Sequence, residues 1–185
     1  MDRGTAGTGA IEVRTARPDD VPALLGLLDE IVRAGGTTAI EEPIDEGAFR
    51  DWFVDGPDCI VLFVAVGAGD APLGFQSLAR RADLPPGCVD IATFARRRPK
   101  VRGVGTALFA RTQRFARERG IRSINATIRA DNAGGLAFYG RMGFVERAVE
   151  RAVPLLDGTP VDRVSKRYAV EPPSHPMPTD GLARP

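Results

Sequence analysis

Arg96-Arg-Arg-Pro-Lys-Val-Arg-Gly-Val-Gly-Thr-Ala-Leu108 is the stretch on which the reading of this chain turns. Just before it, Cys88 to Ala95 follows a Pro-Pro-Gly turn at 85–87 and reads as a strand. Just after it, Leu108, Phe109, Thr112, Phe115 and Ala116 repeat at helical spacing as far as Gly120. Gly103 and Gly105 therefore lie between a strand and the start of a helix. The first turn of a helix has backbone N–H groups without intrahelical partners, and the dipole adds positive potential there. Glycine lets the backbone approach an anion closely, and successive N–H groups form a nest for it. Arg96, Arg97, Arg98, Lys100 and Arg102 bring further positive charge to the same segment. A pyrophosphate fits this pattern; so does a tight strand-to-helix connection with no ligand. A P-loop does not, because Thr106 follows Gly105 with no lysine between them. A dinucleotide turn would want a third glycine and an acid after the next strand, which here ends Thr127-Ile128-Arg129.

Working outward, Ile11, Val13 and Thr15 alternate as a first strand. Pro18, Asp19 and Asp20 open a helix, with proline at its first position and carboxylates at the positive end of its dipole. Val21, Leu24, Leu25, Leu28, Ile31 and Val32 carry it to Gly35-Gly36. A polar segment, Thr37 to Gly47, leads to a short helix around Phe49, Trp52 and Phe53. Cys59 to Val66 is a central strand and Leu73 to Ala79 its antiparallel partner. Ile121 to Ile128 is a strand, and Asn132 to Met142 a short helix. Phe144 to Val153 and Val161 to Val170 form a terminal antiparallel pair. The order is β-α-α-β-β-β-α-β-α-β-β: an α/β fold, one mixed, mostly antiparallel sheet with helices on both faces. One domain is expected over 10–170, after a disordered start, 1–9, and before a mobile Pro-rich tail, 171–185.

With 185 residues, 43% of them hydrophobic and 26% charged, the chain has room for one sizeable core. No apolar run approaches the roughly 20 residues of a membrane span. The N-terminal MDRGTAGTGA lacks a signal peptide's apolar stretch, so a cytoplasmic location is expected. The net charge of +1 argues against a dedicated nucleic-acid binder, yet it hides a segregation. Residues 1–70 hold 14 acidic and 5 basic side chains, whereas 96–122 hold 10 basic and 1 acidic. Such asymmetry is consistent with one region built for an anion and another for a cation, or with two solvated faces. Cys59 and Cys88 are too few for a disulfide framework, and His175 stands alone, so no metal site is expected and a Ser-His-Asp triad is disfavoured.

A second motif narrows the choice. Asn132-Ala-Gly-Gly-Leu-Ala-Phe-Tyr-Gly-Arg-Met-Gly-Phe144 resembles the signature of the GCN5-related N-acetyltransferases, in which Asn, a small residue, aromatic-Tyr and Gly-Phe keep this spacing. The glycine turn resembles the same family's pyrophosphate loop, with Lys100 where Arg or Gln is usual and Val101 where glycine is common. The resemblance spans residues 11–170 in element order. A looser one, through Gly36-Thr-Thr-Ala-Ile-Glu-Glu-Pro43 and the Val89-Asp90 strand, points to the phosphinothricin and amino-acid N-acetyltransferase branch.

The resemblance implies acetyl-CoA as co-substrate, a small-molecule amine as acceptor, and direct attack without a covalent intermediate. It puts the cofactor against Phe94, Ala95, Lys100, Val101, Arg102, Gly103, Val104, Gly105, Thr106, Asn132 and Tyr139. The strand ending at Ala95 splays from its neighbour, leaving a free N–H to polarise the thioester carbonyl. Tyr139 is the implied general acid to the departing thiolate; its pKa near 10 lies above the roughly 8.5 of a thiol. Asn132 binds the pantetheine arm, caps its own helix, or does both. Asp90, where some relatives have glutamate, is a candidate base. Thr38, Glu41, Glu42 and Asp90 are candidates for the acceptor pocket, and Glu41 or Glu42 competes for the role of base. The rival reading is a CoA-binding sensor or degenerate acyltransferase without turnover. No nucleic-acid or membrane partner is expected, and a homodimer through the terminal strands and tail is compatible with the sequence.

Overall fold

Cys59–Val66 is strand β2, and from Leu62 to Val66 it is buried on both sides. Such a strand needs a layer over each face, and the computed structural model, which describes residues 10–171, supplies both. The order is β1 (Glu12–Thr15), α1 (Val21–Ala34), α2 (Glu46–Phe53), β2, β3 (Pro72–Ala79), β4 (Cys88–Ala95), α3 (Val104–Glu118), β5 (Ser123–Arg129), α4 (Ala133–Arg141), β6 (Val145–Pro154) and β7 (Pro160–Ala169). The expected element order and the α/β layering are borne out. Residues 1–9 lie outside the described residues, as does the tail beyond Glu171.

The strands form one sheet in the order β1-β2-β3-β4-β5-β7-β6. Its only parallel pair is β4–β5, because α3 carries the chain across one face between them. That pair is short: Cys88, Val89 and Asp90 match Ser123, Ile124 and Asn125, and then the two strands part.

Side-chain alternation assigns the two faces. Leu62, Val64, Phe75 and Phe94 pack against Leu24, Leu28, Phe49 and Phe53 of α1 and α2. Phe75 and Phe94 stack at 4.8 Å between ring centres, and Phe53 meets both edge-on. On the other face Phe63, Ala65, Ile91, Ile124 and Ile128 pack under Leu108, Phe109, Phe115 and Tyr139 of α3 and α4. Truncating any of the fully buried phenylalanines to alanine costs about 3–5 kcal/mol.

Two details differ from expectation. Pro18–Asp20 is a separate 3-10 turn ahead of α1, because the Asp20 carboxylate is held by Arg14 Nη1 and Nη2 at 2.7 and 2.8 Å and accepts the Arg17 N–H at 2.6 Å. Trp52 is exposed; α2 buries only Phe49 and Phe53, one turn apart on one side.

Candidate active site

The parting of β4 from β5 opens the sheet. Which main-chain groups face the opening follows from the β3–β4 register. The Arg96 N–H donates to the Leu73 carbonyl at 2.9 Å, so Arg96, Phe94, Ala92 and Asp90 turn their peptide groups toward β3. Thr93 and Ala95 therefore turn theirs the other way, past the last residue that β5 pairs. Ala95 is exposed, as a free N–H at that point requires.

The glycine turn follows. Gly103 lies at φ +88°, a left-handed conformation that a side chain resists, and it caps α3. Ala107 is the first residue to donate back along the helix, to the Gly103 carbonyl at 2.9 Å, so the N–H groups ahead of it head the helix without a ladder partner. Gly105 is needed for another reason: a Cβ there would come within 2.8 Å of the Phe138 ring. It sets the approach of α4 to α3. Val104 is buried and Val101 packs on the core, while Lys100, Arg102 and Thr106 are exposed around the turn.

Tyr139, on α4, is 7% exposed and its hydroxyl lies 2.9 Å from Thr93 Oγ1. Burial pushes the phenol well above its ordinary range, with the Thr93 hydrogen bond opposing and the Asp90 charge reinforcing the shift. It stays protonated at neutral pH. Asn132 has both polar ends engaged: Oδ1 accepts the Gly135 N–H at 2.8 Å and Nδ2 donates to the Thr37 carbonyl at 2.8 Å. It is thus the N-cap of α4 and a tie to the segment after α1.

Asp90 and Thr93 are three residues apart on one strand, so their side chains leave opposite faces of the sheet. Asp90 sits on the α1/α2 face, its side chain 22% exposed, accepting from Asn125 Nδ2 at 2.8 Å and from Arg81 Nη1 at 3.5 Å. Burial raises its pKa, and the contacts with Asn125 and Arg81 offset part of the rise. Beside it the same face carries Asn125, Thr127 and Arg129 of β5, matched to Arg167, Ser165 and Arg163 of β7. Arg129 is paired with Asp131, Nε to Oδ1 at 2.9 Å. Arg163 is only 9% exposed and its Nη1 is buried without a hydrogen-bond partner among the described residues; Arg167 Nε is in the same position.

The segment between α1 and α2 closes over this floor. The Thr37 and Thr38 carbonyls accept from Asn132 and Arg129, and the Thr38 hydroxyl accepts the Ile40 N–H at 3.1 Å. The Glu41 carboxylate accepts the Leu156 N–H at 2.8 Å, in the β6–β7 turn, and Glu42 is exposed. Asp90 lies beside the opening, and the Glu41 charge acts on Arg129 of the same face. Arg81, Asn125, Arg163 and Arg167 escape a reading by motif. Arg163, Ser165 and Arg167 alternate within Val161–Val170, and that period-two polar row on an interior strand was the available signal.

Among the described residues no helix is long and apolar enough to cross a membrane. The family model for the acetyltransferase (GNAT) family matches residues 26–144. An uncharacterized N-acetyltransferase of Methanocaldococcus jannaschii is 40% identical over 48 residues, which are 26% of this chain and 21% of that protein. The chain thus matches about a fifth of that curated relative's length. Among solved structures, a GNAT superfamily phosphinothricin acetyltransferase of Sinorhizobium meliloti, in complex with acetyl-CoA, superposes with a TM-score of 0.76 at 20% identity, covering 94% of this chain and 95% of that one. A ribosomal-protein-alanine N-acetyltransferase of Brucella melitensis gives 0.75 at 23% identity, covering 85% and 99%. At these identities the likeness is one of fold.

Proposed function

The chain belongs to the acetyltransferase (GNAT) family, and from that premise we propose that it moves an acetyl group from acetyl-CoA to the amine of a small molecule that also carries an acidic group. The observation that carries the reading is the opening between β4 and β5, with a proton donor on one face and a carboxylate on the other.

The residues fit acetyl-CoA. The turn at 100–106 offers a left-handed glycine, helix-head N–H groups and basic side chains to phosphates. The divergent edge of β4 offers unpaired peptide groups to an extended arm. When bound, acetyl-CoA supplies the acetyl group as a thioester. The N–H group of Ala95 faces the place where negative charge develops on the carbonyl oxygen. Asp90, with its raised pKa, takes a proton from the incoming ammonium. Tyr139 gives its proton to the sulfur as the C–S bond breaks.

The acidic group is argued from the floor. A guanidinium buried without a partner is costly, and an anion beside it removes the cost. Arg163 and Arg167 fit a carboxylate or a phosphorus acid on an acceptor whose amine lies at Asp90. The charge distribution by itself equally allows a cationic acceptor. Free-CoA release measured across matched amines with and without a carboxylate tests the acidic reading. Faster turnover of the acid-bearing members is expected, and preference for their uncharged counterparts overturns that part. Tight acetyl-CoA binding with no turnover of any amine would favour the non-catalytic rival.

A further inference from the structure

Gln76 is the most deeply buried polar residue of β3. It is 0% exposed, between Phe75 and Ser77, and its side chain enters the apolar layer under α3. A primary amide there is expensive unless both ends are bonded, and both are. Thr112 Oγ1, on α3 and also 0% exposed, donates to Gln76 Oε1 at 2.6 Å. Gln76 Nε2 donates to Thr93 Oγ1 at 2.8 Å, and Thr93 Oγ1 meets the Tyr139 hydroxyl at 2.9 Å.

Proton counting leaves this row two arrangements at its Tyr139 end. The Thr93 oxygen has one proton, and it already accepts from the Gln76 amide. Among the described residues its one other hydrogen-bond partner is Tyr139. Only one of the two hydroxyl protons can lie between the Thr93 and Tyr139 oxygens; with the Thr93 proton there, the phenol's own proton is free to point into the opening. With the Tyr139 proton there instead, the acid is aimed away from the opening, so the arrangement able to protonate a group in the opening is the one in which Thr93 donates.

We propose that Thr112, Gln76 and Thr93 form a one-way hydrogen-bond relay that aims the Tyr139 proton at the departing sulfur and supports the oxygen left behind. This rests on Tyr139 being the general acid. The C–S bond breaks with its electron pair on sulfur, the Tyr139 proton joins that pair, and water returns a proton to the phenolate. While the phenolate exists, Thr93 donates to it in a charge-assisted bond, stronger than the neutral one it replaces. Aligned hydrogen bonds also polarise one another. Thr93, Gln76 and Thr112 are positioning residues, since none of them touches the reacting atoms.

The test is a double-mutant cycle on the full chain with acetyl-CoA and an amine it acetylates, reading kcat and the KM for acetyl-CoA. Thr93→Val keeps shape and removes the donor; kcat is expected to fall about 10- to 100-fold with KM unchanged. Thr93→Ser restores most of the loss. In a Tyr139→Phe background, Thr93→Val removes nothing more, because its effect passes through the phenol. Gln76→Leu lowers kcat less than Thr93→Val, and far-ultraviolet circular dichroism checks that each variant is folded. A Thr93→Val loss as large without the phenol as with it means a structural role and overturns the relay. An unchanged kcat in Thr93→Val, with a large loss in Tyr139→Phe, overturns the relay alone. Wild-type kcat in Tyr139→Phe overturns the acid reading, and the relay falls with it.

Discussion

On the α3/α4 face the groups turned to the β4–β5 opening are peptide N–H groups, helix-head amides and one tyrosine. On the α1/α2 face they are the side chains of Asp90, Arg163 and Arg167, with Asn125 and Arg81 holding the carboxylate. The first half is made mostly of backbone, and it is set by glycines and by register. The second is made of side chains from β4, β5 and β7 that meet only when the sheet is complete. A backbone site leaves a local trace in sequence, because only certain residues permit its geometry. A side-chain site assembled from distant strands leaves almost none.

The largest effect is expected on the first face. Tyr139→Phe should lower kcat about 10²- to 10⁴-fold with little change in acetyl-CoA affinity, read by steady-state kinetics beside calorimetric binding. A parallel rise in the acetyl-CoA Kd would move Tyr139 from chemistry to binding.

Asp90→Asn should come next, with a loss of about 10²-fold and removal of the acidic limb of the kcat/KM profile. The signs are opposite for activity and stability. A carboxyl whose folded pKa is raised binds its proton more tightly when folded, so stability falls as pH rises from its unfolded toward its folded value. The asparagine variant should therefore match or exceed the wild-type Tm at pH 7. An acidic limb that survives the substitution removes Asp90 as the base.

Arg163→Met should cut kcat/KM for acid-bearing amines about 10- to 100-fold and spare plain ones. Because Arg163 Nη1 is buried without a hydrogen-bond partner among the described residues, the same variant should melt at a higher temperature. Equal losses for both acceptor classes would deny it a role in recognition.

Gly103→Ala places a side chain at φ +88° and should cost about 1–2 kcal/mol, seen as a lower Tm and a higher KM for acetyl-CoA. Smallest is Asp20→Ala, which breaks the tie between β1 and the turn before α1 for about 1 kcal/mol. The Arg14 guanidinium holds the Asp20 carboxyl below its ordinary pKa of 3.8. That stabilisation is present at neutral pH and is lost as pH falls below the carboxylate range, so the variant's Tm deficit should close in acid.

The same contrast explains what could be read beforehand. Element order was legible nearly to the residue, because the apolar period switches cleanly and glycine or proline marks the ends; Cys59–Val66 and Cys88–Ala95 are the plainest cases. Gly103, Tyr139 and the Asn132 cap belong to motifs within one strand-turn-helix or one helix, so local spacing reveals them. Asp90 was legible as a strand residue before the glycine turn, but its partner Asn125 is 35 positions away. Glu41 reads as an acceptor-side acid, and one of its oxygens accepts from the backbone of a turn 115 residues further on, a tie that local spacing does not reveal. Summed charge does not reveal this layout: the acidic first third is spread over helices and turns, while arginines from a strand near the end lie beside the opening.

The place of β7 has a consequence for synthesis. It is the last strand made, yet it lies inside the sheet, between β5 and β6. A nascent chain can close β1 to β4 on α1 and α2 as it emerges, but β6 has no partner until residues 160–169 arrive. The turn that anchors Glu41 comes at the same moment. The glycine turn and its helices precede β7 in the chain, whereas the arginine-lined face beside the opening is complete only once β7 has arrived. A chain stalled short of β7 would present an unpaired β6 and an exposed edge on β5, and it would lack Arg163 and Arg167 beside the opening.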